Sequence, residues 1–316
     1  MNKKIIIGVT GVILVGIVGY FFVKNNTKVS TTQTENKTEI SGHDMNTMTN
    51  TEDHSNIMNM SRAVVDGTNR ISIENISKLT AGKTVFKFKI TGLNGKEITD
   101  TDLKISHEKK MHFLVIRNDV TTFEHLHPEY VNGFWNVSAV NLNNGDYNLY
   151  VDISPIDEVE STLKVTAVVG SKTANKLFPK LSVSGVAKVG DYAVELLEKE
   201  LEATENHPLN FKVTKNGSGV ANIMPYLGAY GHVIMVDHNN SNNFVHAHPS
   251  SEAAPTNSQI AFSTVFPNEG NYTIFAQFNI GGEIKVFPIT INVKKSGEAK
   301  HSDANSVIDE SKPHGH

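Results

Sequence analysis

Apolar side chains along most of this chain alternate with polar ones in short runs. Phe86-Lys-Phe-Lys-Ile-Thr91 and Leu209-Asn-Phe-Lys-Val-Thr214 place an apolar residue at every second position, the period of a strand with one buried face. Segments of this kind, rich in β-branched and aromatic residues, recur about every 8–12 residues between Asn, Gly, Asp and Pro. That spacing predicts an all-β chain of antiparallel sandwiches, with an immunoglobulin-like arrangement as the leading expectation. No stretch of the body shows a convincing helical period. Val194 to Glu202 is the nearest case, and it aligns with the Ile71 strand instead.

The pattern occurs twice. Arg70-Ile-Ser-Ile, the Phe86 run, Met111-His-Phe-Leu-Val-Ile116, Phe123-Glu-His-Leu-His-Pro128 and Gly145-Asp-Tyr-Asn-Leu-Tyr-Val151 form the first set. Ala193-Val-Glu-Leu, the Leu209 run, Gly231-His-Val-Ile-Met-Val236, Phe244-Val-His-Ala-His-Pro249 and Gly270-Asn-Tyr-Thr-Ile-Phe-Ala276 form the second, in the same order and about 120–125 residues later. The expected organisation is two tandem domains, at residues 62–172 and 173–294.

Before them, residues 1–24 contain an uncharged apolar run, Ile5 to Val23, behind Lys3 and Lys4. At ~1.5 Å per residue the run nearly spans a ~30 Å hydrocarbon core. It exceeds the ~7–15 residues of a signal-peptide core, and no Ala-x-Ala site follows. The reading is a single-pass signal anchor, with a cleaved signal peptide as the alternative, and the C-terminal domains outside the cytoplasm. Residues 25–61 are polar and lack periodicity, as expected of a disordered tether, and residues 295–316 read as a disordered tail.

Composition narrows the chemistry. The formal net charge is -4 with no basic stretch, which argues against nucleic acid as a partner. There are no cysteines, but 14 His and 8 Met. Disulfides, thiolate-ligated zinc, iron–sulfur clusters, blue copper and thiol nucleophiles are therefore excluded. Metal chemistry would have to use imidazole, carboxylate or thioether.

His125 and His127 sit two apart on an expected strand, so both point to one face with Cα atoms about 6.6 Å apart. If Met111 to Arg117 and Thr122 to His127 form a hairpin in which Arg117 faces Thr122, then His112 stands opposite His127 and Leu114 opposite His125. Pairing Val236 with Phe244 in the second repeat puts His232 opposite His248 in the same way, across a turn of different length. Each repeat then presents three imidazoles able to converge on one ion at ~2.0–2.1 Å. The alternative is a hydrogen-bonded structural cluster. His107 is a candidate fourth ligand in the first repeat, with an exposed loop residue as the equal alternative. Glu129 and Glu252 follow the His-Pro pairs and read as solvated surface residues rather than oxygen ligands, and His207 and His238 read as surface residues. In the tether, His43, Met45, Met48, His54, Met58 and Met60 combine thioether with imidazole, a set that selects Cu(I) among first-row metals; a plain low-complexity spacer is the alternative. The terminal Pro313-His-Gly-His316 could add a weak site.

The runs His107-Glu-Lys-Lys-Met-His-Phe-Leu-Val-Ile-Arg-Asn-Asp with Phe123-Glu-His-Leu-His-Pro-Glu129, and Gly228-Ala-Tyr-Gly-His-Val-Ile-Met-Val with Val245-His-Ala-His-Pro249, resemble a group of secreted or membrane-anchored bacterial proteins associated with copper handling. The resemblance covers roughly residues 62–294 and implies a metal role. The expected function is capture, buffering or transfer of a transition metal, copper or alternatively zinc, with a membrane or secreted copper-handling protein as a partner. A surface interaction module with structural histidines is the second reading. A metal enzyme is the third and least favoured, because no catalytic signature accompanies the histidines.

Overall fold

The computed structural model describes residues 62–63, 70–73, 79–92, 94–172 and 177–297. The expected anchor, the tether with its His and Met residues, and the tail after residue 297 lie outside them. Among the described residues no helix is long and apolar enough to cross a membrane.

Nineteen strands make up these residues, all joined in antiparallel ladders. In chain order they are β1 (Arg62–Ala63), β2 (Arg70–Ile73), β3 (Gly82–Thr91), β4 (Met111–Arg117), β5 (Phe123–Leu126), β6 (Glu129–Val131), β7 (Phe134–Leu142), β8 (Gly145–Ile153) and β9 (Ser161–Val169). The second repeat continues with β10 (Val186–Val189), β11 (Tyr192–Leu196), β12 (Asn206–Lys215), β13 (Ser218–Gly219), β14 (Ile223–Met224), β15 (His232–Asp237), β16 (Phe244–Ala247), β17 (Gln259–Val265), β18 (Gly270–Ile280) and β19 (Glu283–Val293).

Each repeat is a two-sheet sandwich. In the first, β2-β3-β7-β6 faces β5-β4-β8-β9; in the second, a sheet built on β10-β11-β12-β17 faces one built on β16-β15-β18-β19. Alternation explains the inner faces. Phe86, Phe88 and Ile90 of β3 meet Phe113 and Val115 of β4 and Leu149 and Val151 of β8. Leu209, Phe211 and Val213 of β12 meet Val233 and Met235 of β15 and Ile274, Ala276 and Phe278 of β18. Tyr147 and Tyr272 open β8 and β18, and each hydroxyl donates to the carbonyl four residues upstream, Asn143 at 3.0 Å and Asn268 at 2.9 Å. This tyrosine corner, repeated at the same place in both copies, belongs to immunoglobulin-type sandwiches.

The strand β1 departs from the sequence expectation. From the sequence, residue 62 opens the first domain, but β1 pairs with β16 of the second repeat, Arg62 against His246 and Ala63 against Val245. An unpaired edge beside β16 is a template for any extended segment.

The outer faces carry the feature that decides the architecture. β3 is buried on one face only, whereas β4 and β15 are buried along both. The second buried face of each lies against the other repeat. Leu114, Ile116, Val120 and Tyr150 of the first repeat form one apolar cluster with Ile234, Val236, Phe244 and Phe275 of the second. Phe123 stacks on Phe275 and Tyr150 on Phe244, both at 4.3 Å between centroids and 17° between planes. Phe123 corresponds to Phe244 in the repeat and Tyr150 to Phe275, so the two stacks are one contact applied twice about a local two-fold. Lys164 reinforces one side, donating to Ser241 Oγ and to Asn242 Oδ1 at 2.8 Å, and the Tyr150 hydroxyl donates to the Ser241 carbonyl at 2.6 Å.

This interface makes a prediction. Phe244 has no exposed surface, so Phe244→Ala should lower unfolding free energy by about 3–5 kcal/mol. Denaturant titration followed by circular dichroism checks this; a loss below about 1 kcal/mol would show that the stacks do not hold the repeats together.

Candidate metal centre

The hairpins that carry the histidines have the register expected from the sequence. Leu114 faces His125, and the Arg117 amide donates to the Thr122 carbonyl at 3.0 Å. Ile234 faces His246 and Val236 faces Phe244. Period-two alternation then does the rest. His112 shares its face with Leu114 and Ile116, and His125 with Phe123, so the imidazoles lie on the face that packs against the other repeat.

Two groups of three result, His112 with His125 and His127, and His232 with His246 and His248. Within each, one ring nitrogen per residue lies within 4.8 Å of the others. His112 is 3% exposed and His232 fully buried, while the other four keep partial access. The groups are neighbours: ring centroids of His112 and His246 are 5.5 Å apart, and those of His125 and His232 5.9 Å.

In four of the six histidines the nitrogen turned away from the group has a partner. His112 Nε2 lies 3.2 Å from the Ser106 carbonyl, and His232 Nε2–H donates to the Tyr226 carbonyl at 2.9 Å. Both acceptors stand six residues before their histidine, in equivalent tight turns closed by the Ser106–Lys109 and Tyr226–Ala229 bridges. The central histidines reach across the interface. His246 Nδ1–H donates to Asp152 Oδ2 at 2.8 Å, and His125 Nδ1 lies 3.1 Å from Gln277 Oε1. Asp152 faces His112 in the β4–β8 ladder, and Gln277 faces His232 in the β15–β18 ladder. Fixing the far nitrogen of a ligand histidine sets its tautomer and aim, as outer hydrogen-bond partners do around bound metals. The near nitrogens His127 Nε2, His232 Nδ1, His246 Nε2 and His248 Nε2 are buried without any partner, an expensive state for a polar atom unless something binds there.

Burial holds the cluster neutral. It pushes His112 and His127 down to about 4 and His232 to about 3. It also drives His125, His246 and His248 well below the ordinary imidazole range, with neighbouring histidines adding to the effect. Asp152 opposes the shift at His112, and Lys109 reinforces it at His127. Neutral imidazole is the form that ligates metal.

His107 does not join the first group. Its ring stacks on His248 of the second repeat, 3.6 Å between centroids at 15°, and lies 5.9 Å from His232. It gets there through a turn in which His107 and Glu108 both have positive φ, 50° and 62°. The equivalent turn of the second repeat uses Leu227 and Gly228, and glycine takes such values without strain.

Glu129 and Glu252 are exposed and stand in neither group. His207 and His238 are half-buried rather than freely exposed. His207 Nε2 bonds the Glu202 backbone, and His238 stacks on Phe178 at 4.2 Å and bonds Thr273 Oγ1 at 2.8 Å. Asp152 and Gln277 escape sequence reasoning. Their only sequence signal is that both are polar positions at matching places in the two repeats, each following an apolar stretch of its strand.

A family model, described as a domain of unknown function (DUF8832), matches residues 63–171 and again residues 187–295. The chain belongs to this family. Its two DUF8832 repeats are the two sandwiches above. No curated protein matches the chain. Among solved structures, FdeC, an Escherichia coli adhesin, is 13% identical over 74% of this chain and 65% of its own length, with a TM-score of 0.24. Fibronectin(III)-like modules of Clostridium thermocellum CbhA are 12% identical over 78% of this chain and 100% of theirs, with a TM-score of 0.20. A biofilm-associated protein BSP domain is 13% identical over 69% of this chain and 28% of its own, also at 0.20. The DUF8832 chain thus spans just under two thirds of the FdeC structure, and likeness this distant speaks to neither ligand nor partner.

The strained turn and the buried rings each carry an expected outcome. Glu108→Gly removes a strained side chain and should raise stability by about 1 kcal/mol, read as a rise in Tm of about 2–4 °C; an unchanged or lower Tm would mean that Glu108 makes compensating contacts. The buried imidazoles, for their part, stay neutral in the fold but protonate near pH 6.5 in the unfolded chain. Between pH 6.5 and about 4 the unfolded state binds more protons, so stability is whole above 6.5 and drains away as pH falls. Metal-free protein should melt about 5 °C or more lower at pH 5 than at pH 7, and a flat profile would contradict the neutral cluster.

Proposed function

We propose that this protein binds transition-metal ions, copper by preference and zinc as the alternative, to capture, buffer or hand them over outside the cytoplasm. One observation carries the reading. In two groups of three imidazoles, His112, His125, His232 and His246 turn one nitrogen to a hydrogen-bond partner outside their group, and the inward nitrogens of the second group are buried without partners. In the second group no hydrogen bond among the rings satisfies these atoms, whereas an ion at ~2.0–2.1 Å would.

His112, His125 and His127 hold one ion on this reading, and His232, His246 and His248 another. Three imidazoles leave a coordination position for a donor arriving with the metal or for a recipient, which suits transfer. Imidazole accepts copper and zinc alike, and the preference for copper rests on His43, Met45, Met48, His54, Met58 and Met60. The Ile5–Val23 run supports a membrane anchor that keeps the repeats outside the cytoplasm, near a membrane or secreted copper-handling partner.

A second reading keeps some support. His125 and His246 each bond the opposite repeat, so the histidines also fasten the two sandwiches, as structural residues of a surface interaction module would.

The deciding experiment uses the full chain in detergent, with the tether His and Met residues replaced by Ala and Leu. Copper and zinc per chain are measured by elemental analysis after equilibration and desalting. The expected result is close to two ions, falling to one when His125 and His127, or His246 and His248, become Ala. A folded chain that retains none would sink the metal reading and leave the interaction module.

A further inference from the structure

The two groups differ in one respect that the repeat symmetry makes conspicuous. Where the first repeat offers Asp152 to the second, the second offers Gln277 to the first. A carboxylate can only accept, whereas a carboxamide can accept through oxygen or donate through nitrogen. Because a neutral imidazole carries one N–H, counting protons separates the two groups.

In the second group, His246 must place its proton on Nδ1 to meet Asp152, and His232 must place its own on Nε2 to meet Tyr226. The remaining nitrogens, His246 Nε2 and His232 Nδ1, are then bare lone pairs aimed inward, and both are buried without partners. Asp152 has no proton to give as a carboxylate, and no hydrogen bond from His248 reaches them. A cation bound between them would satisfy both lone pairs at once.

The first group has another way out. His112 Nδ1 and His125 Nε2 already lie 2.9 Å apart, a hydrogen bond that needs one proton between them. With His112 Nε2–H held on the Ser106 carbonyl, the proton must sit on His125 Nε2, and His125 Nδ1 must accept. Gln277, whose Oε1 lies 3.1 Å from His125 Nδ1, permits this when its carboxamide turns over so that the otherwise unpartnered Nε2–H donates. The His112–His125 pair is therefore satisfied without metal, and only His127 Nε2 of this group stays unpartnered. An ion entering here displaces a hydrogen bond and reverses a carboxamide.

We propose that the two groups are unequal sites: His232, His246 and His248 form the tight one, its donors locked by Asp152 from the other repeat, and His112, His125 and His127 form a weaker one that fills second and empties first. Asp152 is a positioning residue, acting through His246. The proposal rests on the metal reading above and adds an order to it. A tight site beside an exchangeable one, with rings 5.5–6.4 Å apart across the interface, suits a protein that retains one ion and passes on another.

The test is a stepwise titration of the full chain, carrying the tether replacements, with Co(II). Ligand-field absorption reports each site, and a chelator competes. Two steps should appear, at least ten-fold apart in affinity. His246→Ala should remove the tighter step and His125→Ala the weaker one. Asp152→Asn converts the carboxylate into a carboxamide and should weaken the tight step about 10–100-fold while sparing the other. Gln277→Glu should tighten the weaker step, a gain that a purely structural role would not produce. If Asp152→Asn fails to fold, Gln277→Glu still decides. Two steps of equal affinity, or a tight step that survives His246→Ala, would overturn the order yet leave the metal reading standing. A wild-type chain with no Co(II) spectrum would end both.

Discussion

Everything distinctive about this protein depends on one face of one sheet in each repeat being removed from water by the other repeat. A sandwich needs only its inner faces buried, and an antiparallel sheet tolerates a solvated outer face. Here the outer face of β4-β5-β8 packs on the outer face of β15-β16-β18. At one end of that contact the stacks of Phe123 on Phe275 and Tyr150 on Phe244 supply apolar burial. At the other end the same contact desolvates the histidines. An imidazole exposed on a lone sandwich would titrate near its ordinary value and wave in solvent. Pressed between two sheets it is neutral, oriented and short of partners. The aromatic end drives association, and the histidine end inherits a geometry it could not secure alone.

The local two-fold accounts for the economy of the arrangement. Once Phe123 meets Phe275, symmetry brings Phe244 onto Tyr150, and once His125 meets Gln277 it brings His246 to Asp152. A single self-complementary patch, duplicated in one chain, makes the interface isologous in the manner of a two-fold dimer. It also exposes differences. Asp152 against Gln277, and His107 against Leu227, are the places where equivalent positions hold different chemistry. Both fall at the histidine end, while the aromatic end differs chiefly in the Tyr150 hydroxyl and Lys164, which bond the Ser241 loop on one side only. The turn bearing His107 carries positive φ at two non-glycine residues. Such strain persists only where the surroundings impose it, and here the stack on His248 is the visible constraint.

Much of this is legible from residues alone, and the boundary of legibility has a physical form. Strand pairing within a hairpin is local, so the placement of Leu114 opposite His125 and Ile234 opposite His246 can be reasoned from period and turn. So can the two groups of three, because alternation decides which side chains share a face. The association of the repeats is not read that way, although a signal exists. Met111 to Ile116 and His232 to Val236 are nearly unbroken apolar runs, unlike the alternating Phe86 and Leu209 runs, and a strand apolar on both faces is covered on both. That continuity is visible, but its partner is not, since nothing local says which distant surface does the covering. His107 is misplaced for the same reason. Its spacing from His112 suggests the first group, whereas the interface carries it to His248. The roles of Asp152 and Gln277 are properties of the contact between repeats, and neither residue touches its histidine until the two sheets meet.

On the proposed metal reading, ion and interface would be linked through these cross-repeat bonds. Each central histidine leans on the other repeat, His246 locked by Asp152 and His125 oriented by Gln277, so separating the repeats would free both rings at once. An ion that prefers the locked tautomers therefore stabilises the paired repeats, and pairing strengthens the ion's hold by the same factor, as reciprocity requires. A ligand that binds only the associated form adds RT ln(1 + [L]/Kd) to its stability, about 2.7 kcal/mol at a hundred-fold excess over Kd. Loosening of the interface would correspondingly loosen the metal. An encounter that pries at the exposed rim of this contact would then act on affinity without touching a ligand. If the chain passes metal on as proposed, that coupling would give a recipient a way to prompt release, because the face that assembles the site is the one whose opening would dismantle it.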